Sequence, residues 1–216
     1  MKVLITGTSN GIGKSTALKF LAEGHDVIGL DIAEATITDP KYTHYVCDVA
    51  HKDELPDIDG IEILINNAGV QSSGRDIEVN LIGLMNCTEK YGIQPAIKSI
   101  VQTASVSAHN GAEFPEYCAS KGGVLAYTKN VALRVAQYGA TCNSVSAGGV
   151  LTELNQHILD DKALWDAVMA ETLIPKWATP EEMADWNYFL AVINKSMTAQ
   201  DVLIDNGEIS KANFVW

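Results

Sequence analysis

The sequence has 216 residues, of which 47% are apolar and 19% charged, a composition typical of a folded chain with a sizeable core. Its formal net charge of −12 argues against nucleic acid or an anionic membrane surface as a partner. The length fits one domain, residues 1–216.

Short β-branched runs alternate with helix-like segments along almost the whole chain. The predicted strands are 2–6, 26–31, 44–47, 61–66, 99–103, 141–145 and 201–204, and the predicted helices are 13–23, 76–91, 116–137, 160–171 and 180–194. Runs such as Ile63-Leu64-Ile65 lack polar alternation, as expected for a parallel sheet covered by helices on both faces. Segments 31–44 and 48–61 contain too few helix formers for full helices, so we expect a thinned helical layer there.

The cysteines and the apolar runs indicate the compartment. No apolar run approaches the roughly 20 residues that span a bilayer, and Val3-Leu4-Ile5 is too short for a secretory signal. The four cysteines have no Cys-x-x-Cys spacing; they are Cys47, Cys87, Cys118 and Cys142. We therefore expect a cytoplasmic protein with reduced thiols and no metal site.

A glycine-rich turn, Thr6 to Gly13, joins the first strand to the first helix. Its glycines allow backbone N–H groups to approach a pyrophosphate closely, at the positive end of a helix. The spacing is Gly-x-x-x-Gly-x-Gly instead of the usual dinucleotide fingerprint Gly-x-Gly-x-x-Gly. On this motif alone, a plain glycine-rich turn without a ligand is an alternative.

Asp31 ends the second predicted strand, where a carboxylate can accept hydrogen bonds from both ribose hydroxyls of a dinucleotide. The same carboxylate would repel a 2′-phosphate. Residues Ile32-Ala33-Glu34 contain no Arg or Lys, and the loop residue before Gly11 is the neutral Asn10. The pattern favours NAD over NADP.

A third polar group follows the strand predicted at 99–103. Ser105 lies beyond that strand, and a loop leads to Tyr117 and, four residues on, Lys121, so that the last two share one helix face. An ammonium beside a phenol lowers the phenol pKa and creates a general acid/base that works near neutral pH. The alternative is coincidence, since Tyr-x-x-x-Lys pairs arise by chance in many chains.

With these motifs in place, the chain resembles the short-chain dehydrogenase/reductase family over nearly its whole length. The matching motifs are Thr6-Gly7-x-x-x-Gly11-x-Gly13, Asp48-Val49, Asn66-Asn67-Ala68-Gly69, Asn80, Ser105, Tyr117-x-x-x-Lys121 and Gly148-x-Val150-x-Thr152. Each is common alone, but their joint order and spacing are specific. The resemblance implies a single-domain, Rossmann-type, doubly wound parallel α/β sheet of about seven strands in the order 3-2-1-4-5-6-7.

The resemblance also implies the catalytic residues. The backbone of Asn80 would order a water in a proton relay, and Ser105 would orient the substrate oxygen. Tyr117 would transfer the proton. Lys121 would bind the nicotinamide ribose and lower the pKa of Tyr117.

For the cofactor, the resemblance assigns the adenine ring to Asp48 and Val49. Asn66, Ala68 and Gly69 would wall the adenine ribose and support the central strand. Val150 and Thr152 would anchor the nicotinamide carboxamide. The complete set expected to bind NAD is Gly7, Ser9, Asn10, Gly11, Ile12, Gly13, Asp31, Cys47, Asp48, Val49, Asn67, Ala68, Gly69, Tyr117, Lys121, Gly148, Val150 and Thr152.

The chain departs from the family pattern in four places. Ala147-Gly148 replaces Pro-Gly, which we expect to loosen the following loop but to preserve cofactor binding. The segment 70–79 is shorter than is typical, so we expect a more open cleft on that side. Ala199-Gln200 replaces Gly-Gln, and Asp205-Asn206-Gly207 replaces Asp-Gly-Gly, where Asn tolerates a positive φ.

Residues expected to face the substrate recur at helical spacing and would form a lid over an apolar alcohol or ketone; alternatively, this stripe packs on the core or on another subunit. They are His109, Glu113 and Phe114; residues 151–157; and Leu164, Trp165, Val168 and Met169. His109 and His157 are expected at the surface or in loops rather than in catalysis. Trp177 and the apolar tail 213–216 are expected to reach a neighbouring subunit. The resemblance implies a homotetramer or homodimer.

The leading prediction is an NAD-dependent oxidoreductase that interconverts a secondary alcohol and its ketone, with a small-molecule substrate. A 3-oxoacyl-carrier reductase is an alternative, although reductive biosynthesis generally uses NADPH, which Asp31 disfavours. A hydroxysteroid or sugar-alcohol dehydrogenase fits equally well. A non-catalytic NADH-sensing regulator is the alternative from another class, but it would have no use for the proton-relay residues.

Overall fold

Apolar, β-branched runs form the strands of one sheet. The computed structural model describes residues 1–112 and 114–211, and within them the sheet has seven parallel strands in the order β3-β2-β1-β4-β5-β6-β7. The strands are β1 Lys2–Thr6, β2 Asp26–Asp31, β3 Tyr42–Val46, β4 Ile63–Asn66, β5 Ser99–Ser105, β6 Thr141–Ala147 and β7 Asp201–Ile204. The predicted doubly wound order is confirmed. The prediction ended β5 and β6 two residues too early, and it began β3 two residues too late.

Helices connect these strands. They are α1 Gly11–Ala22, α2 Leu84–Cys87, α3 Ser107–Asn110, α4 Pro115–Val135, α5 Gln156–Leu159, α6 Lys162–Met169 and α7 Pro180–Tyr188. The helix predicted at 76–91 is in fact α2 between two π-helical turns, Glu78–Gly83 and Thr88–Gly92, and a third π-helical turn, Phe189–Ile193, follows α7. The helix predicted at 160–171 is shorter than expected and covers only α6.

The helical layer is thin beside β2 and β3. In the fully described segment 32–41 no helix forms, and between β3 and β4 there is only the 3₁₀ turn Lys52–Glu54. Pro40 and the scarcity of helix formers account for this, because a proline interrupts the helical hydrogen-bond ladder. The predicted thinning is confirmed.

The sheet is buried on both faces. Leu4 and Leu64 pack with the helical segment 78–92 and α4, whereas Ile63 and Ile65 pack with α1 and α7. All four side chains are fully buried. Each such side chain contributes roughly 1.5–3 kcal/mol through burial, which fixes the strand ends where the polar residues lie.

Two of the departures from the family pattern adopt left-handed backbone conformations. Ala199 has a φ of +59° and Asn206 a φ of +54°. Asn adopts this conformation readily, whereas in alanine it brings the Cβ too close to the following carbonyl oxygen and strains the backbone. Ala199 is nevertheless held there, because its N–H donates to the Cys142 carbonyl oxygen at 2.8 Å.

We expect Ala199→Gly to raise the free energy of unfolding by about 0.5 kcal/mol, because relief of left-handed strain (roughly 1–2 kcal/mol) exceeds the added entropy of an unfolded glycine. Ala126→Gly, an exposed site in the middle of α4, is the matched control and should lower it by about 1 kcal/mol. Urea unfolding of both variants measures the difference. Equal losses at the two positions would contradict the strain at Ala199.

Candidate active site

The polar residues that end the strands lie along one edge of the sheet, because all the strands run parallel. β1 pairs with both β2 and β4, so the chain direction across the sheet reverses there and leaves a crevice above β1. Strands β1, β2, β4, β5 and β6 end at this edge with Thr6, Asp31, Asn66, Ser105 and Ala147. The predicted site residues cluster around this crevice.

The glycine-rich turn between β1 and α1 forms a cradle in which three glycines leave the backbone uncovered. Gly7 has a φ of +75° and Gly11 a φ of +52°. A methyl group on Gly13 would lie 1.9 Å from the Gly7 carbonyl oxygen, so nothing larger than hydrogen fits there. The first N–H groups of α1, including that of Ile12, have no acceptor within the helix. This cradle at a helix amino terminus fits the diphosphate of a dinucleotide.

Asp31 is held against the cradle by backbone donors. Its Oδ2 accepts from the Ser9 N–H at 2.8 Å, and its Oδ1 accepts from the Ala33 N–H at 2.9 Å. Ser9 itself is buried, and its hydroxyl bonds the carbonyl oxygens of Ala33 and Glu34. A carboxylate has about four acceptor positions, so Asp31 keeps capacity for ribose hydroxyls.

Asp48 has a partner that the sequence analysis missed. Its Oδ1 accepts from the Ala50 N–H, and its Oδ2 accepts from Arg75 Nη2, each at 2.9 Å. Arg75 also donates twice to Glu78, at 3.0 Å. Burial alone would raise the pKa of Asp48, but the Ala50 N–H and the Arg75 guanidinium outweigh it and lower the pKa. The short segment 70–79 therefore places an arginine beside Asp48, while the more open cleft expected on that side stays a prediction.

The neighbours of Asp48 turn into the core. Cys47 and Val49 are both buried, and burial raises the pKa of the Cys47 thiol to about 11. Only their backbone is left to face a cofactor. Asn66, expected in the ribose wall, is also buried in the protein, and its amide donates to Thr88 and Gln102 instead. Asn66 ends β4 with its side chain under the helical segment 78–92, so the expected support of the central strand agrees with the structure, whereas its side chain is not placed in a ribose wall.

Asn67, Ala68 and Gly69 continue the crevice beyond β4. Asn67 braces the cradle, because its side-chain amide donates to the carbonyl oxygens of Thr6 and Gly7 at 3.1 and 3.3 Å. Thr6 Oγ1 accepts from the N–H groups of Asn67 and Ala68. A methyl group on Gly69 would lie 3.6 Å from Lys121 Nζ, so this segment leads directly to the catalytic candidates.

Tyr117 and Lys121 lie one turn apart near the start of α4, as predicted from their spacing. Lys121 Nζ is 5.7 Å from the centre of the Tyr117 ring and donates to the Thr103 carbonyl oxygen at 2.9 Å. The ammonium is buried, which lowers the pKa of Lys121 to about 8 despite the nearby Asp76 carboxylate. A phenol beside a desolvated ammonium is a suitable proton donor and acceptor.

Ser105 and Asn80 complete this group. Ser105 ends β5 two residues after Thr103, and its hydroxyl lies 3.0 Å from that of Ser107. Asn80 is fully buried in a π-helical turn, where its Oδ1 accepts from the Val70 N–H at 2.7 Å and its Nδ2 donates to Ser120 Oγ at 3.1 Å. The four predicted catalytic residues are therefore brought to one end of the crevice.

The segment after β6 closes the crevice beside the cradle. A methyl group on Gly11 would lie 3.3 Å from Thr152 Cγ2. Gly148 N–H donates to the Ile204 carbonyl oxygen at 3.0 Å, and Val150 bridges to Ala178, so the loop after Ala147 is tied on both sides. The loosening expected from the loss of proline stays a prediction.

Trp177 packs inside the protein. A methyl group on Gly149 would lie 2.0 Å from its ring, and the ring of Trp165 meets it edge-on at 5.3 Å. Trp177 is only 6% exposed, so the expectation that it reaches a neighbouring subunit was wrong. The two tryptophans instead anchor α6 to the loop that carries Val150.

The substrate side agrees only in part with expectation. His109 turns towards β7, where its Nε2 lies 2.8 Å from Asp201 Oδ2. Its expected position facing the substrate was wrong. Large apolar side chains are exposed in the expected lid; they are Phe114, Leu151, Leu154 and Leu164. Glu113 and the tail 213–216 lie outside the described residues.

Comparison with known proteins identifies the family. A family model described as enoyl-(acyl carrier protein) reductase matches residues 7–208. The chain belongs to the short-chain dehydrogenase/reductase family. It is therefore an oxidoreductase that acts on CH–OH or carbonyl groups of small molecules with a nicotinamide cofactor, and the glycine cradle described above fits such a cofactor.

Individual relatives span a range of activities. The 3-oxoacyl-[acyl-carrier-protein] reductase of Thermotoga maritima is 32% identical, with 94% of this chain and 96% of that protein covered. The glucose 1-dehydrogenase of Gluconobacter oxydans is 29% identical, with 95% and 91% covered. The solved aldohexose dehydrogenase of Thermoplasma acidophilum has a TM-score of 0.84 at 26% identity, covering 100% of this chain and 96% of that one.

The described residues contain neither a metal-binding group of side chains nor a membrane-spanning helix. Across residues 1–112 and 114–211, no three His, Cys, Asp or Glu side chains are grouped to hold a metal ion. Over the same residues, no helix is both long and apolar enough to cross a bilayer.

The buried Lys121 predicts a pH-dependent stability. Because its pKa falls from 10.5 to about 8 on folding, the unfolded chain binds more protons between these values, so stability rises with pH across that window. Between about pH 7.5 and pH 10, we expect the free energy of unfolding of the cofactor-free protein to rise by about 2 kcal/mol more than that of the Lys121→Met variant. Chemical unfolding of both proteins at matched concentration measures this gain. Parallel pH curves would contradict it.

Proposed function

We propose that the protein is an NAD(H)-dependent oxidoreductase that interconverts a secondary alcohol and its ketone, with Tyr117 as general acid/base. The observation that carries this proposal is the burial of the Lys121 ammonium 5.7 Å from the Tyr117 ring, at the end of a crevice that begins with the glycine cradle. A bound nicotinamide would supply or accept the hydride. The side chains of the protein would transfer the proton to or from the substrate oxygen.

In the direction of ketone reduction, Tyr117 donates its hydroxyl proton to the carbonyl oxygen, and in alcohol oxidation it takes that proton back. The Lys121 ammonium stabilises the phenolate that forms in the first case and exists at the start of the second. The Ser105 hydroxyl, at the end of β5, hydrogen-bonds the same substrate oxygen.

Asn80 supports this chemistry through its position. Its side-chain amide is committed to Val70 and Ser120, so its backbone carbonyl is the group offered to a water. A π-helical turn takes carbonyls out of the regular hydrogen-bond pattern, which suits that task. We infer a proton path from Tyr117 through Lys121 to this water.

The preference for NAD follows from the surroundings of Asp31. A 2′-phosphate would meet its carboxylate, and the neighbouring Ser9 hydroxyl is buried and already bonded to main-chain carbonyls. Residues 32–40 contain no Arg or Lys, and the ammonium of Lys41 donates to the Gly24 carbonyl oxygen at 3.0 Å. Nothing in this segment would balance the charge of a phosphate.

A second candidate, a 3-oxoacyl-carrier reductase, is favoured by the similarity to the Thermotoga enzyme. Asp31 disfavours it, because reductive biosynthesis generally uses NADPH. The exposed Leu151, Leu154 and Leu164 favour a substrate with an apolar substituent in either case. A panel of alcohols and ketones, followed through NADH absorbance with NADP(H) alongside, separates the candidates.

We also propose that the protein is a cytoplasmic homo-oligomer, a tetramer or dimer. β7 is an edge strand, and Leu203 on it is exposed. Trp186, Phe189 and Ile193, on α7 and the turn that follows it, are exposed as well. An edge strand beside exposed apolar side chains suits pairing with another copy.

Tyr117→Phe should lower kcat by at least about 10²-fold while NADH binding stays nearly unchanged, because the ring is retained and only the transferable proton is lost. Tyr127→Phe on the same helix removes a hydroxyl that bonds Glu89 and serves as the control. Steady-state kinetics and NADH fluorescence titration are the measurements. A Tyr117→Phe enzyme with most of its activity would refute the assignment.

Asp31→Ala should raise the KM for NADH about 10- to 100-fold, because hydrogen bonds to a charged group contribute roughly 1.5–3 kcal/mol. It should also narrow the preference for NADH over NADPH. Asp26→Ala, at the opposite end of the same strand, should change neither value. The ratio of kcat/KM for the two cofactors is the readout. A parent enzyme that prefers NADPH would exclude the proposed role of Asp31.

A further inference from the structure

The coil between β2 and β3 lacks a helix, yet it carries the backbone that positions Asp31. Part of it is tied to the cradle, since the Ser9 hydroxyl bonds Ala33 and Glu34, and Thr36 Oγ1 donates to the Ser9 carbonyl oxygen at 2.7 Å. A further tie comes from the sheet. His44 on β3 places its Nε2 2.9 Å from the Ala33 carbonyl oxygen.

His44 is the end of a chain of hydrogen bonds. Tyr42 Oη lies 2.8 Å from His44 Nδ1 and 2.8 Å from Thr8 Oγ1. A carbonyl oxygen only accepts, so His44 Nε2 carries the proton, and the Nδ1 of the neutral ring accepts from the Tyr42 hydroxyl. Tyr42 in turn accepts from Thr8. The chain thus runs from the cradle to Ala33 with one direction of donation.

This chain fills space that the sequence leaves for it. A methyl group on Gly29 would lie 2.1 Å from Tyr42 Oη and 2.3 Å from Thr8 Oγ1. Gly29 lies on β2, two residues before Asp31, and opposite His44 in the strand register. The hydrogen-bond chain therefore packs directly on the strand that ends in the ribose-binding candidate.

We propose that His44 is a positioning residue for the cofactor's adenosine ribose. By donating to the Ala33 carbonyl oxygen it holds Ala33 in place, and the N–H of the same residue, 2.9 Å from Asp31 Oδ1, orients that carboxylate. This inference rests on the proposed role of Asp31 in binding NAD. Tyr42 fixes the ring of His44 in the required tautomer, and Thr8 fixes Tyr42.

The test measures binding of ADP-ribose, which carries both riboses without the nicotinamide ring, by calorimetry on the purified protein. His44→Leu should raise its Kd about tenfold, the effect of losing one hydrogen bond of about 1.4 kcal/mol. The KM for NADH should rise in parallel, with kcat changed less than about twofold. His44→Gln, whose amide nitrogen can replace Nε2, should recover most of the affinity, and Thr43→Val on the exposed side of β3 is the control.

A double-variant cycle separates positioning from a general structural role. In an Asp31→Ala background, His44→Leu should have little further effect on the Kd of ADP-ribose, because its action passes through that carboxylate. Tyr42→Phe provides a milder perturbation, expected to raise the Kd about threefold, should His44→Leu fail to fold. Nitrogen-15 spectra of the imidazole should show the proton on Nε2 of His44.

An unchanged Kd in both His44→Leu and Tyr42→Phe, a full additional loss in the Asp31→Ala background, or a proton on Nδ1 would each overturn the inference. These results are distinct from a failure of the proposed function. A protein that turns over no alcohol or ketone, yet binds ADP-ribose through Asp31 and loses affinity for it in His44→Leu, would refute the proposed reaction and support the positioning role of His44.

Discussion

The contact between Gly13 and the Gly7 carbonyl oxygen is the constraint on which the site depends. With room for hydrogen alone at Gly13, α1 can approach β1 until its amino terminus points over the strand ends. Asn67 then joins the same turn to the end of β4. The positive end of a helix, the ribose-binding candidate on β2 and the segment that leads to Lys121 are thereby fixed relative to one another. A side chain at Gly13 would separate all three.

The end of the crevice with the proposed catalytic residues depends on a different balance. Burying the Lys121 ammonium is unfavourable, as its lowered pKa shows, and the surrounding groups return only part of the loss through the Thr103 carbonyl oxygen and the Asp76 charge. The two fully packed faces of the sheet supply the stability that tolerates this. A solvent-exposed lysine would avoid this desolvation cost on folding. It would stabilise a neighbouring phenolate far less, however, since water screens the interaction.

The parts of the site that could be predicted from sequence are those with fixed local geometry. Tyr117 and Lys121 meet because a helix repeats every 3.6 residues, and Asp31 reaches the crevice because parallel strands end at one edge. The pairing of Arg75 with Asp48, 27 residues away, depends on the path of a coil, which has no such period. Trp177 and His109 were misplaced for the same reason: a loop brings Trp177 to Gly149, a four-residue helix brings His109 to Asp201, and neither segment is long enough to leave a periodic signal. A lone arginine in the segment 70–79 was the one available hint.

The two short segments of this chain share a physical solution. Between β2 and β3, where a helix is missing, the hydrogen-bond chain Thr8–Tyr42–His44 ties the coil to the sheet. Where the chain is short between β4 and the helical segment 78–92, Arg75 joins Asp48 and Glu78. In both places a few directional side-chain bonds replace the packing of a longer element. Directional bonds fix the positions of the bonded groups but bury little apolar surface, so these ties determine where Asp31 and Asp48 lie more than how stable the fold is.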